Sequence, residues 1–152
     1  MQLKNNSKFS PQEEIYNWTQ IELLVKIVAN KIRSVSKRYD VILGITNGGI
    51  IPARLFAREL DINHLLTVQV RSRGLNEVDM PQLLDGKKYL VVDDIYDTGN
   101  TYSVVSNKVE KYNCDFAFLV RRFAASEDDG RKVYVGEVLN HRKWIVFPWE
   151  QK

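Results

Sequence analysis

Tyr89-Leu90-Val91-Val92-Asp93-Asp94-Ile95-Tyr96-Asp97-Thr98-Gly99-Asn100-Thr101 runs from an apolar segment, through three carboxylates, into a small polar turn that opens a helix. Leu90, Val91 and Val92 read as a strand buried on both faces, the pattern of a parallel sheet. Ligands of open α/β sheets sit beyond the carboxyl ends of such strands. Asp97-Thr98-Gly99-Asn100-Thr101 offers backbone N–H groups, two hydroxyls and a helix N-terminus worth roughly half a positive charge, which together suit a phosphate dianion. An acid cluster beside a phosphate is repulsive unless it binds something cationic or hydroxylic, so Asp93 and Asp94 are expected to meet sugar hydroxyls or a metal ion. The ligand implied is a sugar phosphate, with magnesium as its companion.

The rest of the chain is consistent with one compact domain. A chain of 152 residues buries roughly 70% of its unfolded surface. There is no long apolar run and no internal repeat: Leu23-Leu24-Val25 is broken by Lys26, and the N-terminus is polar. A soluble, cytoplasmic protein with no membrane partner is therefore expected. The single cysteine, Cys114, cannot form an internal disulfide and reads as a buried structural thiol. With no His/Cys cluster, no zinc site is expected. A net charge of +3 and a pI near 8.9 suit a small polyanionic substrate as readily as nucleic acid. The basic groups are sparse (Lys37-Arg38, Arg71 with Arg73, Arg121-Arg122, His141-Arg142-Lys143), so a nucleic-acid partner is not expected.

Working outward, two capping-box spacings compete for the first helix, Ser10-Pro11-Gln12-Glu13 and Thr19-Gln20-Ile21-Glu22. The second is preferred, because Ile21, Leu24, Val25, Val28 and Ile32 follow it at helical spacing. Val41-Ile42-Leu43-Gly44-Ile45 reads as a second buried strand. Thr46-Asn47-Gly48-Gly49 interrupts it before a helix over residues 50–60, giving a second anion loop in which adjacent glycines let backbone N–H groups approach a ligand. Residues 64–70 alternate as a third strand. The polar stretch 71–84, with Gly74 and Pro81, is a candidate lid or an ordinary long hairpin loop. Val104, Val105 and Val109 mark a helix beginning near Thr101, and Phe116-Ala117-Phe118-Leu119-Val120 is the next strand, ended by Arg121 and Arg122.

Val91 to Thr101 resembles the phosphoribosyl-pyrophosphate (PRPP) motif of type I phosphoribosyltransferases: apolar residues, two acids, two variable residues, then Asp-Thr-Gly-x-Thr. Lys143-Trp144-Ile145-Val146-Phe147-Pro148-Trp149-Glu150 is similar to the Trp-Ile-x-x-Pro-Trp-acid signature of xanthine-guanine and related 6-oxopurine phosphoribosyltransferases. The resemblance extends from Trp18 to Glu150, with Trp18 pinning the start of the first helix. It implies an α/β fold of the type I phosphoribosyltransferase kind: a mostly parallel twisted sheet of four or five strands, helices on both faces and a small C-terminal hood. Residues 1–17 would be a tail or hood segment and 18–152 the single domain, including a mobile loop at 71–84 and the hood at 132–152.

The implied reaction transfers 5-phosphoribose from PRPP to N9 of guanine, hypoxanthine or xanthine, releasing pyrophosphate, with Mg2+ as cofactor. By the same resemblance, Asp97 serves as general base. Asp93 and Asp94 hold the ribose hydroxyls, Asp94 also the metal, and Asp97, Thr98, Gly99, Asn100 and Thr101 take the 5′-phosphate. Thr46, Asn47, Gly48 and Gly49 form the pyrophosphate loop, with a cis peptide before Asn47. Asn47 stands where the purine enzymes usually carry arginine or lysine, so Arg54 or a neighbouring subunit is a candidate source of the missing charge. Arg71 and Arg73 are secondary pyrophosphate candidates. Arg122 takes the place of a lysine that donates to the exocyclic oxygen of the base, Trp144 stacks on the purine, and the Ile145 backbone reads its edge. Family members are commonly dimers or tetramers, so a homo-oligomer is expected. The alternatives are a PRPP- or nucleotide-sensing regulator of the same fold that binds RNA through residues such as Arg71, Arg73 and Arg142, and a phosphoribosyltransferase for another base.

Overall fold

The two cores of the molecule lie on opposite faces of one six-stranded sheet. The computed structural model describes residues 12–71, 77–123 and 130–151. In chain order they form β1 (Glu13–Ile15), α1 (Trp18–Ser34), β2 (Val41–Thr46), α2 (Ile50–Glu59), β3 (His64–Arg71), β4 (Glu77–Asp79), β5 (Lys88–Tyr96), α3 (Asn100–Lys108), β6 (Asn113–Arg122), β7 (Val133–Leu139) and β8 (Trp144–Val146), then a 3-10 turn at Pro148–Glu150. The main sheet has the order β4-β3-β2-β5-β6-β7. Its pairs are parallel except β3 with β4. β1 and β8 make a separate two-stranded parallel sheet.

The continuous apolar runs of β2 and β5 follow from burial on both sides. Alternate residues point to opposite faces, so Ile42, Leu90 and Val92 join the core shared with α1 and α2, while Val41, Leu43, Tyr89 and Val91 join the core shared with α3. α1 contributes Ile21, Leu24, Val25, Val28, Ala29 and Ile32 to the first core. α3 contributes Val105, and Val109 just past its end, to the second.

Three expectations are corrected. α1 begins at Trp18, two residues after Tyr16, and its N-cap is Asn17 rather than Thr19. The Asn17 side chain accepts the Gln20 N–H at 2.8 Å, and Gln20 accepts the Asn17 N–H at 2.8 Å. Asparagine ranks above threonine at this position, and the earlier start lets the Trp18 ring meet Trp149 at 5.9 Å. The sheet has six strands, not four or five. Val133–Leu139, expected inside the hood at 132–152, is the edge strand β7 of the main sheet, pairing parallel to β6. Its signal is weak because an edge strand has one open side, where Glu137 and Val138 stay exposed. The hood is built from β8, the 3-10 turn and β1. The 71–84 segment has strand character in both arms, since β3 continues to Arg71 and β4 pairs antiparallel with it; residues 72–76 lie outside the described ones.

At the amino-terminal end of the sheet, Asp115 is a buried charge with a complete set of partners. The Lys37 ammonium and the Tyr39 hydroxyl both donate to Oδ2, and the Lys132 N–H donates to Oδ1 at 3.1 Å. Burial alone would raise this carboxyl; the hydrogen bonds from Lys37 and Tyr39 outweigh it and hold Asp115 below its ordinary value of 3.8. A depressed carboxyl contributes stability that is present above the unfolded value and is lost as pH falls through the lower folded value. Asp115→Asn is therefore expected to cost roughly 2–3 kcal/mol at pH 7, less than a fully buried pair because Lys37 keeps some solvent. The gap from wild type should narrow below pH 3.8 in thermal melts. A gap that is constant with pH would mean that the charge of Asp115 contributes nothing. Cys114, next in line, is buried, and burial pushes its thiol up to about 11, which suits an inert structural cysteine.

Candidate active site

From β2 the chain steps outward to β3 and β4; from β5 it steps the other way, to β6 and β7. The order reverses between β2 and β5, and open α/β sheets bind ligands in the crevice at such a switch point, outside the carboxyl ends of the strands. Both glycine-bearing loops leave the sheet there.

The loop after β2 contains the expected cis peptide, Thr46–Asn47. Its Gly49 N–H donates to Ile45 O at 2.7 Å, and Ile50 N–H to Asn47 O at 3.2 Å, so the turn passes directly into α2. The two glycines are demanded by contact. A Cβ on Gly48 would stand 2.3 Å from Asp94 Oδ2, and one on Gly49 would stand 2.4 Å from Val92 O. The loop is thus laid against β5 and its acid pair. Asn47 is exposed at the tip. Arg54, considered as a replacement charge, instead lines a cavity with Arg58, Asp61 and Asn63 at the far end of α2.

The loop after β5 turns on Gly99, whose φ of +88° is open to glycine at little steric cost. Gly99 is the N-cap of α3, and no side chain caps that helix. Thr98 Oγ1 accepts the Asn100 N–H at 3.3 Å. Asp93 through Tyr102, together with Phe118, line a cavity of about 160 Å³. Behind the loop stands Tyr96, with the Arg121 guanidinium carbon 4.2 Å from its ring centroid.

Asp93 and Asp94 are 9% and 8% exposed. Burial pushes both carboxyls above their ordinary range, and the neighbouring charge of Asp94 raises Asp93 further. Among the described residues neither has an ion pair with a basic side chain. Ionised together, an adjacent buried acid pair needs a nearby cation to offset its charge. No cluster of three or more His, Cys, Asp and Glu that could hold a metal occurs among the described residues. Two carboxylates completed by substrate phosphates and water are the donor set that Mg2+ takes, whereas an all-protein cage is not. The residues therefore fit magnesium brought together with a phosphorylated substrate.

Asp97 lies at the mouth, its side chain 48% exposed, and it is not alone. Arg122 Nε donates to Asp97 Oδ1 at 2.8 Å, and Arg122 Nη1 donates to His141 O at 2.6 Å. The His141 ring in turn places Nε2 2.7 Å from Glu14 Oε2 on β1. This sequence of contacts fastens the segment ahead of Trp144 to the tip of β5. Trp144 is 58% exposed, while Ile145 is buried. Glu150, at the end of the 3-10 turn, is raised by partial burial and by the charge of Asp94. Of the remaining candidates, Arg71 pairs with Asp79 at 3.1 Å, Arg142 stands over the Phe123 ring at 5.4 Å, and Arg73 lies outside the described residues. Sequence reading missed Glu14 altogether and saw His141 only as part of a basic surface group.

Fold and site together define an α/β protein in which two glycine-bearing loops and a buried acid pair meet at the tips of β2 and β5. The chain belongs to the phosphoribosyl transferase domain family, whose model matches residues 11–152. It is 33% identical over 147 residues to the xanthine-guanine phosphoribosyltransferase of Chromohalobacter salexigens, covering 91% of this chain and 85% of that one. It is 36% identical over 143 residues to the protein of the same name from Desulfotalea psychrophila, covering 88% and 84%. Among solved structures it resembles a purine phosphoribosyltransferase from Pyrococcus horikoshii, with a TM-score of 0.74 and 33% identity over 93% of this chain and 95% of that one. A hypothetical protein from Neisseria gonorrhoeae with bound ppGpp superposes with a TM-score of 0.78 at 26% identity, covering 93% and 90%.

Proposed function

We propose that this phosphoribosyltransferase acts in purine salvage, joining N9 of a 6-oxopurine to C1 of PRPP with inversion and releasing pyrophosphate. The observation that carries the reading is the convergence at one switch point of two amide-lined loops and a buried acid pair, with Gly48 seated on Asp94. The xanthine-guanine names of its relatives and the Trp144–Glu150 signature supply the choice of base. The guanine nucleotide ppGpp bound by the Neisseria neighbour is in keeping with it.

In this reading the turn Asp97–Thr101 and the N-terminus of α3 grip the 5′-phosphate, and Thr46–Gly49 offers backbone N–H groups to the pyrophosphate. Asp93 and Asp94 steady the ribose hydroxyls. Asp94 is the proposed magnesium ligand; the ion would neutralise and orient the departing pyrophosphate. As the C1–oxygen bond breaks, positive charge grows on the sugar ring, as in glycosyl transfer generally. The base N9 forms the new bond, and Asp97 takes or holds the N7 proton. The 71–84 segment is the proposed cover that keeps water from the reacting carbon. A dimer or tetramer and a cytoplasmic setting belong to the same proposal. No helix among the described residues is long and apolar enough to cross a membrane.

A panel of guanine, hypoxanthine, xanthine, adenine and uracil, each incubated with PRPP and magnesium, tests the class and the base together. Nucleoside monophosphate is expected from at least one 6-oxopurine and from neither adenine nor uracil. Product from uracil alone would transfer the protein to another base class. No product from any base, with salt-dependent RNA binding, would favour a sensor. For Trp144→Ala, loss of a stacking face worth about 1–3 kcal/mol per base should raise the base KM roughly 5–150-fold. The PRPP KM should not move. An unchanged base KM would remove Trp144 from the base site.

A further inference from the structure

We infer that Arg122 is the positioning residue of this site, holding Asp97 in its working orientation and fastening the hood to the phosphate loop through one guanidinium. The inference rests on the assignment of Asp97 to the base proton made above. The Arg122 side chain is 8% exposed, so it is packed rather than sampling solvent. Nε is committed to Asp97 at 2.8 Å and Nη1 to the His141 carbonyl at 2.6 Å. No partner for Nη2 occurs among the described residues. The planar fork fixes the three nitrogens relative to one another. Asp97 and the segment leading to Trp144 are therefore held in one geometry.

A lysine here has one nitrogen on a flexible stem and cannot hold Asp97 Oδ1 and the His141 carbonyl in the fixed relation that two nitrogens of one planar guanidinium impose. The arginine is not a neutral replacement. It couples the orientation of the proton acceptor to the seating of the hood, and the hood side of the connection continues from His141 to Glu14 on β1. Arg122 thus acts on turnover through Asp97, in addition to any contact that it makes with the base.

A double-mutant cycle reads this coupling. Arg122→Lys on the wild-type background should lower kcat about 10–100-fold, the size expected when a reacting group is misplaced by about an ångström. The KM for PRPP should stay close to wild type, and any rise in the 6-oxopurine KM from a looser hood should be the same on both backgrounds. On the Asp97→Asn background, which has no proton acceptor left to orient, the same substitution should change kcat less than about twofold. Equal losses on both backgrounds, or an effect confined to the base KM, would overturn the inference and leave Arg122 as a base contact only. Wild-type enzyme that makes no 6-oxopurine nucleotide would instead remove the premise, and that result is visible before any variant is made. If Arg122→Lys does not fold, Arg122→Gln, which shortens the side chain and replaces the guanidinium with a neutral amide, reads the same coupling.

Discussion

Asp97→Asn is expected to lower turnover roughly 10²–10⁴-fold, the usual worth of a positioned acid or base, while PRPP binds as tightly as to wild type. The substitution is nearly isosteric. Its amide oxygen can still accept from Arg122 Nε, which lies 2.8 Å from Oδ1 in the native pair, so the Arg122 connection to the hood stays in place. What the amide cannot do is take a proton. PRPP affinity should be spared because the proposed phosphate grip comes from the backbone of the same turn and from the N-terminus of α3, where Gly99 sets the geometry at φ +88°. Steady-state kcat together with calorimetric titration of PRPP separates the two effects. Wild-type turnover would end the proton role of Asp97, and weakened PRPP binding with unchanged kcat would make it a binding residue.

Much of this arrangement is visible in the amino-acid order, for reasons that differ from element to element. β2 and β5 are legible because a strand covered on both faces needs an unbroken apolar run, and few other settings tolerate one. The loops that follow them are legible because a glycine pair or an Asp-Thr-Gly run directly after such a strand has a narrow set of uses. β7 is obscure for the opposite reason: Val-Tyr-Val-Gly-Glu-Val-Leu mixes buried and open positions along a sheet edge. The pairing of β1 with β8 joins Glu14 to the register of Ile145, and no local pattern reports a partner so far along the chain. The cap of α1 is a closer contest. Asn17–Gln20 and Thr19–Glu22 both have the spacing, and the contact of Trp18 with Trp149 accompanies the earlier one.

The site itself divides along the same line. Asp93, Asp94, Asp97 and the two loops are local in sequence, and the structure brings them to one crevice. Their supports are not local. Arg122 reaches back to Asp97 from the adjacent strand, and Glu14 reaches His141 from the opposite end of the chain. Arg122, the last residue of β6, is a base contact by resemblance to the lysine of the purine enzymes; its hold on Asp97 depends on the parallel register that sets Tyr96 beside Arg121, one residue short of the pair. Register of that kind is a property of the assembled sheet. A side chain at a strand tip can therefore be assigned to a site from sequence while its partner remains unread.

Gly48→Ala and Gly49→Ala differ by one position and should fail in different ways, because the added Cβ meets a side chain in the first and backbone in the second. At Gly49 the new atom would lie 2.4 Å from Val92 O, 2.6 Å from Ile45 O and 2.9 Å from Ile45 N. Those groups belong to β2 and β5, the centre of the sheet, and cannot rotate away. Overpacking of a rigid surround costs typically about 1–3 kcal/mol and more where the backbone must shift, so Gly49→Ala should lose several degrees of Tm or fail to accumulate as folded protein. At Gly48 the clash is with the Asp94 carboxyl group, at 2.3 Å to Oδ2, 2.7 Å to Cγ and 2.8 Å to Oδ1, and relief needs the side chain to swing about its Cα–Cβ bond and release the Ile95 N–H that Oδ1 accepts at 2.7 Å. Gly48→Ala should fold and lose less Tm than Gly49→Ala, because a side chain yields where backbone cannot, yet with Asp94 displaced from the position proposed for the ribose and magnesium. Misplacement of a reacting or metal-holding group by about an ångström costs on the order of 10²-fold, and the loss should appear in kcat/KM for PRPP, with a higher magnesium requirement. Melting curves and PRPP kinetics on the two variants check the contrast. A Gly48→Ala enzyme with wild-type kcat/KM would show that Asp94 need not stand where Gly48 leaves room for it, and a stable Gly49→Ala would mean that the loop can lift from β5 without loss.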